Sequence, residues 1–464
     1  MKISRLIIKN YRNLKDVDIY LGGAGAGKTT AMADTIIQFR SEIEDYKKIF
    51  CITFTNNAVK CISGKLQEHY GRIPDNIVVS TIHSFLYQEF VRPYYYLLFG
   101  KQYERISVAE LPGVPAYRNA AISRLENKNV LHQTVIPERA KWVVVKKSKD
   151  TKEIKEKRSI VKSNFKSYCG VICIDEAQDI DGDMLAIIES LHKLGIAILL
   201  MGDPKQDLKG HKCLRKLVTA YPDAVEYCTL CHRCPPNHLV ISNLIVADEE
   251  KQHSEKDDGS VVICFASDKN IIELLLEKNF DLKFVSQRQG IYETHTWEKS
   301  KDIREALCEE ISIVIQNNHP NITELACMRV SYYLGEKLLN NYMCCKDKQE
   351  AMNRTFKIEP LKDKRAYGRI INLIPDERKE NKNEVIYVNS IDSIKGQEGN
   401  NCLLILTTDL AAYLLGTKTE ETIFKNRLYV GLTRSLEKLT IYITPEVEKK
   451  YGKENIKNFF DKLN

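Results

Sequence analysis

Gly22-Gly23-Ala24-Gly25-Ala26-Gly27-Lys28-Thr29 is a complete G-x-x-x-x-G-K-T loop, and its surroundings restrict the fold more than any other stretch of the chain. Upstream, Val17-Asp18-Ile19-Tyr20-Leu21 alternates as a strand does; downstream, Ala31 to Glu42 has helical spacing. Strand, glycine loop and helix in that order form one unit of a parallel α/β sheet. In such a unit the glycines let backbone N–H groups approach phosphates, and the helix start adds its positive end. Lys28 then reaches the β- and γ-phosphates, Thr29 offers its hydroxyl to Mg²⁺, and Thr30 completes the expected nucleotide-binding stretch.

The apolar run Val171-Ile172-Cys173-Ile174 ends in Asp175-Glu176. By itself, a strand ending in two acids can merely cap a helix. Beside the loop it supplies the rest of a hydrolytic site: Asp175 holds Mg²⁺, and Glu176 orients and deprotonates the attacking water. The chain is thereby expected to bind Mg²⁺-ATP.

With 464 residues, 43% apolar and 28% charged, the chain exceeds one ordinary core and is expected to divide into two or more domains. A net charge of +7 permits an anionic partner without demanding one. The first ten residues are charged and interrupted, and no apolar run approaches the ~18 residues of a membrane span, so neither a signal peptide nor a span is expected. Fourteen scattered cysteines, several in strand-like runs (Cys51, Cys173, Cys402), read as reduced and buried in a cytoplasmic protein.

A series of further motifs follows in fixed order. Thr53-Phe54-Thr55-Asn56-Asn57-Ala58 resembles the T-F-T-N-x-A motif of UvrD/Rep/PcrA-type superfamily 1A helicases, and Thr81-Ile82-His83-Ser84-Phe85 resembles their DNA-touching T-x-H-S-F/L motif. Asp175 to Asp179 matches D-E-x-Q-D. Gly202-Asp203-Pro204-Lys205-Gln206 is similar to G-D-x-x-Q, and Cys231-His232-Arg233-Cys234 to N-Y-R-S/C. Ser393 to Glu398 looks like S-x-K-G-L-E, and Tyr429 to Arg434 like Y-V-G/A-x-T-R.

This resemblance implies an α/β fold of two RecA-like parallel-sheet motor domains with small helical insertions. Residues 1–90 and 168–228 are expected to form the first domain, with a helical insertion at 91–167. Residues 229–338 and 385–464 would form the second, with a reduced accessory insertion at 339–384. It implies Gln206 as γ-phosphate sensor, Arg233 and Arg434 as cations reaching across the cleft, and Glu398 at the nucleotide. Thr55, Asn56 and His83 would lie on a single-stranded DNA track, with movement 3′ to 5′ on single-stranded or tailed DNA.

The departures are informative. No glutamine precedes Gln38, so the upstream adenine reader of these helicases is missing. Met1 to Leu14 instead resembles the opening strands of RecF- or OLD-type ATPases, although the chain has no LSGGQ-like signature. After Gln206 the sequence runs Asp207-Leu208-Lys209-Gly210-His211-Lys212, with one histidine where relatives stack aromatic residues on bases. Lys141 to Lys166 is basic, which fits a solvated helix face, a disordered loop or a DNA contact. The small insertions resemble those of the helicase-like subunit of Gabija anti-phage systems, which works beside an OLD-like (GajA-like) nuclease. A non-unwinding, DNA-stimulated ATPase that regulates such a nuclease is the alternative reading. Cys228-x-x-Cys231-His232-x-Cys234 also has metal-ligand spacing, though no second closely spaced cysteine pair follows.

Overall fold

The computed structural model describes residues 17–463 apart from 110, 113–114, 278, 295–297, 358–360, 362–363 and 375–385. The RecF- or OLD-like opening of the sequence lies outside the described residues.

Short runs, apolar and buried at the centre of each sheet and more polar and half-exposed at the edges of the first, produce parallel strands. Six of them make the first sheet: β1 (Val17–Gly22), β2 (Lys48–Thr53), β3 (Ile77–Thr81), β4 (Cys169–Ile174), β5 (Ala197–Gly202) and β6 (Val225–Cys228). Their spatial order is β3-β2-β4-β5-β1-β6, and every pairing is parallel. Helix α1 (Lys28–Glu42) leaves β1 through the glycine loop, and α2 (Asn56–Tyr70) leaves β2. Because the strands run the same way, their C-terminal ends, where ligands of open α/β sheets bind, bring the glycine loop and Asp175 to one edge.

The segment expected as a helical insertion in the first domain, 91–167, packs largely on the first sheet. Phe50 of β2 stacks with Phe165 of helix α3 (Lys152–Tyr168) at 5.7 Å between centroids, and Phe90 meets the same ring at 4.8 Å. Tyr95, Leu98, Leu131, Ile136, Val143 and Val161 belong to the same apolar core as Ile19 and Ile174. Aromatic burial of this size fuses the insertion to the sheet. The basic stretch within it is partly structural, since Arg158 is buried and pairs with Asp150 at 2.8 Å while donating to the Trp142 and Val143 carbonyls.

The second sheet has the order β9-β8-β10-β11-β7, again all parallel: β7 (Ser260–Phe265), β8 (Leu282–Val285), β9 (Asn389–Ser390), β10 (Gly399–Leu406) and β11 (Ser435–Ile443). Both sheets lie in one unit, residues 1–108, 125–287 and 389–464. Residues 109–124 and 288–388 form the other. Its helices α4 (Glu298–Asn318) and α5 (Glu324–Cys344) bury Leu307, Ile311 and Ile315 with Leu338, Ile370 and Ile374. This second unit takes in the stretch 339–384, expected from sequence as a reduced accessory insertion, together with 109–124 and the helices before 339. The reason is that α4 and α5 bury their apolar stripes on each other and need no sheet. No helix among the described residues is long and apolar enough to cross a membrane.

Candidate nucleotide site

Between β1 and α1 the loop turns tightly enough to require left-handed backbone at Gly25 (φ 70°) and Gly27 (φ 75°), which glycine adopts without a Cβ penalty. Gly27 is the N-cap, and Ala31 N–H donates to its carbonyl at 3.0 Å, so the helix begins directly behind the loop. Lys28 Nζ folds back onto the loop, donating to the Gly22 and Gly23 carbonyls at 2.8 and 3.1 Å. Thr30 is exposed and accepts from Lys65 Nζ.

Asp175 continues the β4 ladder by donating its N–H to the Ile52 carbonyl at 2.8 Å, so its side chain emerges at the sheet edge. Thr29 Oγ1 donates to Asp175 Oδ2 at 3.0 Å. Burial and the neighbouring Glu176 push the Asp175 carboxyl up to about 6, against the opposing pull of Lys28 and Thr29. Glu176 itself sits in left-handed backbone (φ 56°), an unfavourable conformation for a residue with a side chain. Its carboxylate is held by Gln178, whose Nε2 donates to Glu176 Oε2.

From Gln178 a chain of hydrogen bonds continues. Asp203 N–H donates to Gln178 Oε1 at 2.9 Å, and Gln206 Nε2 donates to Asp203 Oδ2 at 2.8 Å. Burial would raise the Asp203 carboxyl, but Lys205, Lys28 and Gln206 hold it below its ordinary value. Lys205, almost fully buried, lies 2.9 Å from Asp203 and 3.2 Å from Glu250.

The second sheet brings its own cations. Arg233 Nε donates to Glu398 Oε2 at 2.7 Å, so two residues expected separately at the nucleotide are paired with each other. Arg434 is fully buried; its Nε and Nη1 donate to the carbonyls of Val430 (3.0 Å) and Gln397 (3.2 Å), and its Nη2 has no hydrogen-bond partner among the described residues. Burial and the nearby Arg233 bring the Arg434 guanidinium down to about 10. Lys395 Nζ bridges back to both Asp179 oxygens at 2.7 Å.

A buried acid pushed up on one side and a buried guanidinium with an idle N–H on the other are what a cation–polyphosphate pair would relieve. The residues therefore fit Mg²⁺ and a nucleoside triphosphate. Thr29 and Asp175 would hold the metal, and the loop amides, Lys28 and Arg434 the phosphates.

Residues 7–211 match the AAA domain family. Among curated proteins, Gabija protein GajB of Bacillus cereus (strain VD045) is 28% identical over 279 residues, covering 58% of this chain and 54% of that protein. The chain resembles UvrD-like helicases. It spans about half the length of the curated relative it matches. The match to the AAA family runs across the phosphate loop, Asp175-Glu176 and Gln206, the first-sheet half of the site.

The expected DNA-track residues have local partners of their own. Thr55 caps α2 by accepting from Ala58 N–H at 3.2 Å, and Asn56 is the exposed first residue of that helix. His83 is half-buried; burial and Lys209 lower its imidazole pKa while Asp181 opposes them. Asp207 accepts from the N–H groups of Gly210 (2.8 Å) and Lys212 (2.7 Å), so the stretch after Gln206 is a tight polar turn. Among the described residues no cluster of three or more His, Cys, Asp or Glu is arranged to hold a metal ion. Cys231 donates instead to the Ala24 carbonyl at 3.1 Å and accepts from Cys234 N–H at 3.3 Å. Gln178 and Asp203 stand inside motifs legible in the sequence, but their linking role is a matter of geometry. Gln252 and Glu250, which also reach this site, carry no sequence signal.

Proposed function

We propose that this chain is an ATP-driven motor on single-stranded or tailed DNA, moving 3′ to 5′. By analogy with its relative, it would serve anti-phage defence beside an OLD-like (GajA-like) nuclease. The observation that carries the reading is the Thr29–Asp175 pair on the first sheet together with the buried, partly unpaired Arg434 of the second, whose charge is felt by Glu176. Thr29 and Asp175 would hold Mg²⁺, which would supply charge neutralisation at the phosphates. Glu176 is the general base, held in line by Gln178, and it accepts the proton of the attacking water. Gln206, tied through Asp203 to the same chain, is placed to sense the terminal phosphate. Arg434 directs its free N–H at charge that develops in the transition state, and Arg233 joins it when released from Glu398. Lys395 and Asp179 tie the two sheets beside the reacting groups, so closure and hydrolysis are coupled. Thr55, Asn56 and His83 line the DNA path.

The test is ATP turnover with and without single-stranded DNA, followed by displacement of a strand from 3′-tailed and 5′-tailed duplexes. Turnover unaffected by DNA would sink the motor reading. A second reading, a DNA-stimulated ATPase that regulates a nuclease without unwinding, is favoured by the Asp207 turn, which offers no aromatic stacking platform. Stimulated turnover without displacement on either tail would select it. Co-purification with the product of a neighbouring nuclease gene tests the partner in both cases.

A further inference from the structure

Ala24, in the middle of the phosphate loop, is 1% exposed, and it packs within the apolar core of the second sheet with Phe284, Leu404, Leu428 and Tyr429. Its peptide groups are held from that side. Ala24 N–H donates to Tyr429 Oη at 3.0 Å, Tyr429 Oη donates to Gln252 Oε1 at 2.9 Å, and Gln252 Nε2 donates to the Ala24 carbonyl at 3.2 Å. Donor and acceptor alternate all the way round, so the three residues close a circuit in which each hydrogen bond strengthens the next. Tyr429 belongs to helix α6 (Ile423–Leu432) and Gln252 to the segment that follows Asp248–Glu250; neither is part of the loop's own sheet.

The glycines of the loop carry the same message. A Cβ on Gly23 would lie 2.0 Å from Gln252 Oε1, and one on Gly25 would lie 2.3 Å from Arg233 Cβ. These two glycines therefore admit the side chains of Gln252 and Arg233 as well as phosphates. Gln252 is held firmly for this task. Its N–H donates to Asn243 Oδ1 at 3.0 Å, and its carbonyl accepts from Asn243 Nδ2 at 2.8 Å. Two residues earlier, buried Glu250 accepts from Lys205 Nζ at 3.2 Å and from both Arg215 nitrogens, fastening the segment to the motif that carries Gln206.

We propose that Gln252 is a positioning residue that, with Tyr429 of the second sheet's helix α6, sets the peptide planes of the phosphate loop from outside the loop's own sheet. The catalytic conformation of the loop is then complete only when the two sheets are closed on each other. This rests on the ATPase reading above and assigns to the closed state an element that the sequence motifs do not contain. Gln252 acts through Ala24 and Tyr429 and touches no reacting atom itself. Its loss lowers the closed population, and with it kcat, while nucleotide still enters the open cleft.

The experiment is steady-state ATP turnover, with saturating single-stranded DNA, of the full chain and of Gln252→Ala, Gln252→Glu, Tyr429→Phe and the double variant Gln252→Ala/Tyr429→Phe. Gln252→Glu keeps the volume and the bond from Tyr429 but cannot donate to the Ala24 carbonyl, so it stands in if the alanine variant does not fold. Loss of the circuit's hydrogen bonds should lower kcat about tenfold in either Gln252 variant and leave KM for ATP within about threefold. The double variant should be no slower than the slower single variant, since all act on one circuit. Unchanged or increased kcat in the Gln252 variants overturns the proposal, as does an additive double variant. A rise in KM with kcat preserved also overturns it, because Gln252 would then serve binding alone. A wild-type chain that turns over no ATP sinks the ATPase reading itself, before any variant is compared.

Discussion

Replacing Asp175 by Asn should make the ligand-free protein more stable while disabling it. The buried carboxyl is raised from an ordinary 3.8 to about 6, first by burial and then by Glu176. A shift of about two pKa units, each worth ~1.4 kcal/mol, means that ionised Asp175 costs about 3 kcal/mol at pH 7.5. For a raised carboxyl the cost is absent below the unfolded pKa and complete above the folded one. It should therefore grow across the window from 3.8 to about 6, reaching roughly half its full size at pH 5. Asn preserves the local bonding, because its amide can face Thr29 Oγ1 while its carbonyl accepts from Glu176 N–H, bonds now made at 3.0 Å by the two carboxylate oxygens. Thermal unfolding in a chelator at several pH values is the assay, with an expected melting-temperature gain of roughly 5 °C at pH 7.5. Saturating Mg²⁺-ATP should reverse the ranking, since a ligand stabilises only the form that binds it. If the two proteins melt in parallel between pH 5 and 7.5, or the variant is the weaker at pH 7.5, Asp175 is not the electrostatically strained cation ligand described above.

Glu176→Gln should still bind ATP and slow turnover by about 10²–10⁴, the usual worth of a general base, as read by fluorescent-nucleotide binding beside phosphate release. Glu250→Ala leaves buried Lys205 with Asp203 as its one carboxylate and should destabilise the protein by about 3 kcal/mol, whereas Glu250→Ala/Lys205→Met should recover much of the loss in a denaturant titration. Lys395→Ala cuts the tie to Asp179 between the sheets, so basal and DNA-stimulated turnover should both fall several-fold in a phosphate-release assay. Phe165→Ala opens a cavity among Phe50, Phe85 and Phe90 and should cost about 3–5 kcal/mol in the same titration, although the residue lies in what sequence alone presents as a detachable insertion.

The groups gathered at the end of the first sheet were legible in the sequence because they are local. A strand, a glycine loop and a helix start are contiguous, so Gly22 to Thr29 predicts its own geometry, and an apolar strand ending in Asp175-Glu176 does the same. Buried parallel strands announce themselves as short apolar runs for an equally local reason. Relations between distant segments are different, because pairing depends on the packing of whole sheets. Nothing in the letters marks Gln252, 228 positions from Ala24, as its hydrogen-bond donor, or pairs Arg233 with Glu398. Likewise, the stripe Leu307, Ile311, Ile315 in α4 is compatible with packing on a sheet, and the facing stripe of α5 decided that it packs on a helix instead. Local sequence is enough to say which groups this protein can offer to a triphosphate, because each sits at a fixed offset from a strand end or helix start. Packing of distant segments selects which of them meet, and makes two of the loop's glycines admit Gln252 and Arg233 as well as phosphate.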